Sequence, residues 1–154
     1  MSTGFAGIIL HKEFAYPAAA AVSTFYLLAW QSFRVGRARK QAAIEYPQVY
    51  ADKVEAAARK EAQVFNCTQR AHQNTLEQLP IILGSTVIGG LTYPVLAASL
   101  CGLWTFARIF YTIGYSTGDP KKRNMGGAAI VSSLSMLGLI GTSTAAVISW
   151  IRSL

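Results

Sequence analysis

Charge is scarce in this chain of 154 residues: 14% of its positions are charged, only seven of them acidic, against 52% hydrophobic. Between Gln78 and Ala107 there is no charged residue at all. Two cysteines, Cys67 and Cys101, supply neither a disulfide framework nor a metal-ligand spacing. There is no prenylation box and no ER-retention tetrapeptide. Met1 to Leu10 carries no basic residue, so a cleavable signal peptide is not expected.

What is present is long apolar sequence. Phe14 to Phe33 and Asn124 to Ile151 are uncharged and long enough to cross a bilayer, which takes about 20 mostly apolar residues. Thr92-Tyr93-Pro94 divides the central uncharged run, and neither half is long enough alone. The first half must extend back through Glu77 and Arg70, the second forward through Arg108 to about Tyr115. The expectation is an all-α integral membrane protein, a single domain of four helices. The spans fall at about 14–34, 65–91, 94–117 and 123–150, with a polar, Ala-rich cytosolic loop at about 35–64. Pro17 falls near the start of the first span, where a proline costs little, and Pro80 is expected to kink the second.

The net charge of +7 does not imply a nucleic-acid partner. Arg34, Arg37, Arg39, Lys40, Lys53, Arg59 and Lys60 lie between spans 1 and 2, and Lys121, Lys122 and Arg123 between spans 3 and 4. With four spans both segments face one side, and the positive-inside asymmetry makes that side cytosolic.

Ionisable groups at membrane depth are costly and mark functional sites by default. Arg70, Asn74 and Glu77 stand at i, i+4 and i+7 with Gln73 beside them, and Arg108, Tyr111 and Tyr115 at i, i+3 and i+7. Each set shares one helix face, toward the cytosolic end of its span. A bland reading pairs Arg108 with Glu77 and leaves the rest to packing, but the set exceeds what one ion pair needs. Bidentate donors for carboxylates, one acid for an ammonium, and amide or phenol groups for peptide bonds suit a small anionic zwitterion in a lipid-walled cleft. Small residues in span 4, Gly126 to Ala129 and Gly138, Gly141, Ala145 and Ala146, permit close helix contact. So narrow a unit is expected to bury its polar stripes by associating with copies of itself. His72 and Cys101 read as packing residues, and Cys67 as a structural thiol one turn before Arg70.

The string Phe65-Asn66-Cys67-Thr68-Gln69-Arg70-Ala71-His72-Gln73-Asn74-Thr75-Leu76-Glu77, with Ala107-Arg108-Ile109-Phe110-Tyr111 and Gly114-Tyr115 to Arg123, resembles the MAPEG family. These are the membrane-associated proteins in eicosanoid and glutathione metabolism, and the likeness is to the microsomal glutathione S-transferase 3-like branch. It covers about Gly36 to Arg123 and weakens in the first and last spans. The resemblance implies a homotrimer of four-helix subunits in the endoplasmic reticulum membrane or the mitochondrial outer membrane, with glutathione bound between subunits near the cytosolic face. By position, Arg70, Gln73, Asn74 and Glu77 hold glutathione, and Arg108, Tyr111 and Tyr115 form the facing wall. A span-1 cation, Arg37 or Lys40, contributes. Arg123, with Lys122 as the alternative, activates the thiol, and Tyr115 assists the leaving group.

The function implied is a glutathione transferase or glutathione-dependent peroxidase, with leukotriene C4 synthase-type activity among the possibilities. Its second substrate is a lipophilic electrophile or lipid hydroperoxide from the bilayer, and no metal is required. The alternative is a non-enzymatic lipid-binding scaffold of the same fold, which need not keep the thiol-activating cation. A channel or transporter is disfavoured because there is no inverted repeat and the charges cluster at one level.

Overall fold

The computed structural model describes residues 12–154; the expectation about Met1 to Leu10 lies outside them. Among the described residues there are five α-helices and no strand: α1 (Ala15–Ala42), α2 (Lys53–Ala58), α3 (Lys60–Gly90), α4 (Pro94–Tyr115) and α5 (Ala128–Arg152). The four long helices pack against one another, α4 against α1, α3 and α5, and α3 against α1 and α5.

Helix α1 runs eight residues past the expected end at 34. Nothing in Arg34 to Gln41 breaks a helix, and the turn that stops it comes at Ala43, whose φ of 51° is left-handed. The basic end of α1 is fastened to the chain that follows. Arg39 donates to the carbonyls of Gln48 at 2.6 Å and Ile44 at 3.4 Å, and its guanidinium stacks on Tyr46 and Phe65. Arg59 donates to the Ala42 carbonyl. Asp52 and Glu55 form a reciprocal capping box that starts α2. The polar stretch after Pro47 therefore holds both a short helix and the opening turns of α3.

Helix α3 continues unbroken through Pro80. Proline at N1 starts α4, where its missing N–H is no loss. The last helix begins at Ala128, not at the expected 123. Residues 120–127 form a 3-10 segment, and Met125 is extended while Gly126 and Gly127 take φ of 61° and 78°. That left-handed pair is accessible to glycine at little cost and cannot belong to an α-helix.

By length and composition, α4 and the segment 120–152 are apolar enough to cross a membrane. Four such spans were expected; α1 and α3 fall short because their polar residues dilute the apolar ones. Large apolar side chains face outward, with Tyr26 75% and Phe33 80% exposed on α1, and Phe106 and Leu134 on α4 and α5. Hydroxyls and amides turn inward: Thr24, Gln31, Thr75, Thr112, Ser132 and Ser135 are buried. A soluble helical protein arranges these two classes the other way round.

Cα-level approach depends on glycine at two places. A Cβ on Gly90 would lie 2.8 Å from the Pro17 ring, and one on Gly114 would lie 2.1 Å from the Lys122 carbonyl oxygen. The second contact seats the 120–127 turn on the end of α4.

Candidate functional site

The polar centre lies where α1, α3 and α4 meet. Arg108, on α4, is 1% exposed. Its Nε and Nη2 donate to the Thr75 hydroxyl at 3.1 and 2.7 Å, Nη2 also to the Ala71 carbonyl at 3.3 Å, and Nη1 to the Asn74 side-chain oxygen at 3.0 Å. The guanidinium carbon sits 3.9 Å from the Tyr111 ring centroid, close enough for a cation–π contact. Every one of these partners is neutral.

Glu77 is engaged elsewhere. It receives Arg70 Nη1 and Nη2 at 2.6 and 3.1 Å, a bidentate pair one helical face long, and Asn74 Nδ2 at 3.4 Å. The bland reading, in which Glu77 neutralises Arg108, is thus corrected: heptad spacing places Arg70 on the same face of α3 as Glu77, within reach of a fork–fork pair. Asn74 links the two cations, accepting from one and donating to the acid that holds the other.

Two further residues build the centre and were not signalled by spacing. Gln31, fully buried on α1, donates to the Thr75 hydroxyl at 2.9 Å and the Thr112 hydroxyl at 2.7 Å, and its Oε1 has no partner. Tyr50, on the loop between α1 and α2, donates its hydroxyl to Gln73 Oε1. That loop is pinned by Asn66, which accepts from the Ala51 N–H at 2.8 Å and donates to the Ala51 carbonyl at 2.9 Å. Partial burial pushes the Tyr50 phenol above its usual range, and the nearby Arg70 guanidinium acts in the opposite direction. The reciprocal asparagine lock is set by the tertiary structure, since loop paths have no periodicity to read.

The structure brings Arg70, Gln73, Asn74, Glu77, Arg108 and Tyr111 into one connected cluster. Tyr115 joins through its ring, edge-on to Tyr111 at 5.6 Å between centroids. Trp104, one turn before Arg108, donates to Gln78 at 3.0 Å. The remaining expected residues make no hydrogen bond to the cluster, and of these Arg123 lies near enough for its charge to act on Tyr111. Arg123 is exposed on the 120–127 turn and donates to the Pro120 carbonyl at 3.3 Å, and Lys122 is exposed beside it. Lys40 is exposed near the end of α1. Arg37 lines a different groove, with Trp30, Arg34 and Thr68.

Chemically, the cluster holds two guanidiniums with one engaged carboxylate, amides and phenols. It offers a fixed positive field to an anion, with a buried guanidinium behind an exposed one. An all-helical protein with an apolar exterior and such a site is an integral membrane binding protein or enzyme. Residues 17–145 match the MAPEG family model, and the chain belongs to that family of membrane proteins linked to glutathione-dependent chemistry. It is similar to leukotriene C4 synthase from Rattus norvegicus, at 31% identity over 101 residues covering 58% of this chain and 67% of that protein.

Proposed function

We propose that this protein is a glutathione-dependent membrane transferase or peroxidase acting on lipophilic substrates. The observation that carries the reading is Arg108: a guanidinium 1% exposed, held by neutral groups alone, beside an Arg70 whose acid is shared with an amide. A buried cation without a contacting counter-ion is costly, and an anionic ligand offsets that cost. Glutathione has two carboxylates, one ammonium and two peptide bonds. Arg70 and Gln73 suit its carboxylate and amide groups, Glu77 its ammonium, and Asn74 its backbone. Tyr111 and Tyr115 form a wall, and Arg108 supplies the field behind them. The similarity to leukotriene C4 synthase supports the same class of chemistry.

Arg123 is the thiol-activating group in this reading, with Lys122 next to it. A free thiol has a pKa near 8.5, so little thiolate exists at neutral pH. A cation placed against the sulfur favours the thiolate, each pKa unit corresponding to about 1.4 kcal/mol. The thiolate attacks an electrophilic carbon, forming a C–S bond as the leaving group departs or an epoxide C–O bond opens. With a lipid hydroperoxide it attacks the terminal oxygen and releases an alcohol, and a second glutathione completes the disulfide with loss of water. Tyr115 donates a proton to the departing oxygen.

Lys40 and Arg37 make no contact with the Arg70 cluster within one chain, which favours a site completed by a neighbouring copy. A homotrimer of four-span subunits is the assembly we infer, with Lys40 reaching across the interface. The cluster faces the cytosol by the distribution of basic residues, in the endoplasmic reticulum or mitochondrial outer membrane.

The test is an ultraviolet difference titration of the purified protein with glutathione at neutral pH. A saturable thiolate band that disappears in Arg123→Ala, with binding retained, is the expected result. Equal loss of binding and turnover in that variant would assign Arg123 to holding the ligand. No binding by folded oligomer would leave the scaffold reading.

A further inference from the structure

We propose that the groove between the second half of α1 and the first half of α3 binds the phosphate of an anionic membrane lipid. The groove has a volume of about 490 Å³, within the range of small-ligand sites, and is lined by Trp30, Phe33, Arg34, Arg37, Gln41 and Ser116 among others. None of its lining residues hydrogen-bonds within the network around Arg108, and Arg37 is the one residue it shares with the proposed glutathione site.

Its chemistry is one-sided. Arg34 and Arg37 stand one turn apart on α1, where like charges repel, and no carboxylate lines the groove. An adjoining cavity holds the acid Glu61 together with Lys60. Two donors are buried without a hydrogen-bond partner, Arg34 Nε and Ser116 Oγ. A buried polar group left unpaired is costly, and native structures rarely keep two in one place without an occupant. Paired guanidiniums with an added hydroxyl and amide are the donor set that a tetrahedral phosphate satisfies, since arginine binds it bidentately.

A lipid, not a soluble phosphate, is indicated by what lies beside the charges. Arg34 stacks over the Trp30 ring at 5.0 Å, and Phe33 is 80% exposed at the groove's edge. Phe25 and Tyr26, two turns earlier on α1, are also exposed. A phosphate held by Arg34 and Arg37 places its acyl chains along this aromatic surface. The arrangement puts guanidiniums at headgroup level and aromatic rings below them, as interfacial side chains are distributed in membrane proteins.

Native mass spectrometry of the full chain in detergent tests this with phosphatidylglycerol and phosphatidylcholine of equal chain length. Phosphatidylglycerol should be retained about tenfold more tightly, the difference of one charge-assisted contact set. Arg34→Gln should abolish the preference, Arg34→Lys should reduce it, and Ser116→Ala should weaken it without changing any charge. Arg152→Gln, at the far end of α5, should leave it intact. Equal retention of both lipids, or an unchanged preference in Arg34→Gln and Ser116→Ala, overturns the proposal. So does release of phosphatidylglycerol by millimolar inorganic phosphate, which would make the groove a soluble-anion site, or by glutathione, which would make it part of the proposed active site. Should Arg34→Gln fail to fold, Arg34→Lys and Ser116→Ala still decide the outcome.

Discussion

Replacing Thr75 by valine removes one hydroxyl and almost no volume, and its cost follows from who uses that oxygen. Arg108 Nε and Nη2 and Gln31 Nε2 all donate to it. After the change Gln31 keeps Thr112, Nη2 keeps the Ala71 carbonyl, and Nη1 keeps Asn74. The Arg108 Nε–H has no remaining acceptor in a position 1% exposed. Loss of a hydrogen bond to a charged group costs about 1.5–3 kcal/mol, and the lost neutral bond about 0.5–1.5 more. The expected destabilisation is therefore about 2–4.5 kcal/mol, with the lower end favoured because measured interhelical hydrogen bonds in membranes average below about 1 kcal/mol. Thr105→Val is the control. It is buried on α4, and its hydroxyl donates to the Cys101 carbonyl at 2.9 Å and accepts only from the neutral Ser23 hydroxyl, at 3.5 Å. That variant should lose about 1 kcal/mol or less. Equilibrium unfolding in mixed micelles, followed by far-ultraviolet circular dichroism, compares the two. A double-mutant cycle with Arg108→Met then isolates the cause, because Thr75→Val should cost no more than the control once the guanidinium is gone. Equal destabilisation by Thr75→Val and Thr105→Val, or an unchanged cost without Arg108, refutes the reasoning.

Gly114→Ala should destabilise the protein by roughly 1–3 kcal/mol, the usual cost of overpacking, because its Cβ would lie 2.1 Å from the Lys122 carbonyl oxygen. The same change displaces the turn bearing Arg123, so turnover should fall further than glutathione binding, measured by paired kinetics and calorimetry. Glu77→Gln breaks an ion pair whose partners are both substantially exposed, so thermal stability should barely move while glutathione affinity drops. A large shift in melting temperature with unchanged affinity would make the pair structural.

The two polar stripes were legible because helical periodicity is local. Residues 70, 74 and 77, and 108, 111 and 115, share faces whatever the helices do to one another. The turn at 92–93 and the proline start of α4 were equally plain, since proline and its neighbours restrict backbone angles directly. The start of the last helix was misplaced by five residues. Apolar periodicity extends through Gly126 and Gly127, and only their left-handed angles separate turn from helix. Gln31 and Tyr50 went unnoticed for a different reason: one lies inside the uncharged run from Phe14 to Phe33, the other on an irregular loop.

By itself, then, the sequence determined composition, the uneven placement of basic residues and the faces on which charges stand, because each depends on residues within a few turns of one another. Tertiary structure alone decided the partners. It gave Glu77 to Arg70 and left Arg108 to Thr75, Asn74 and the Ala71 carbonyl. It brought Gln31 from α1 between two threonines, carried Tyr50 to Gln73 through the Asn66 lock, and turned Arg37 into a separate groove. Those choices depend on how far each helix is rotated and slid against its neighbours. Close packing at small side chains such as Gly90 and Gly114 fixes that rotation and slide, and no periodicity within a single helix encodes it.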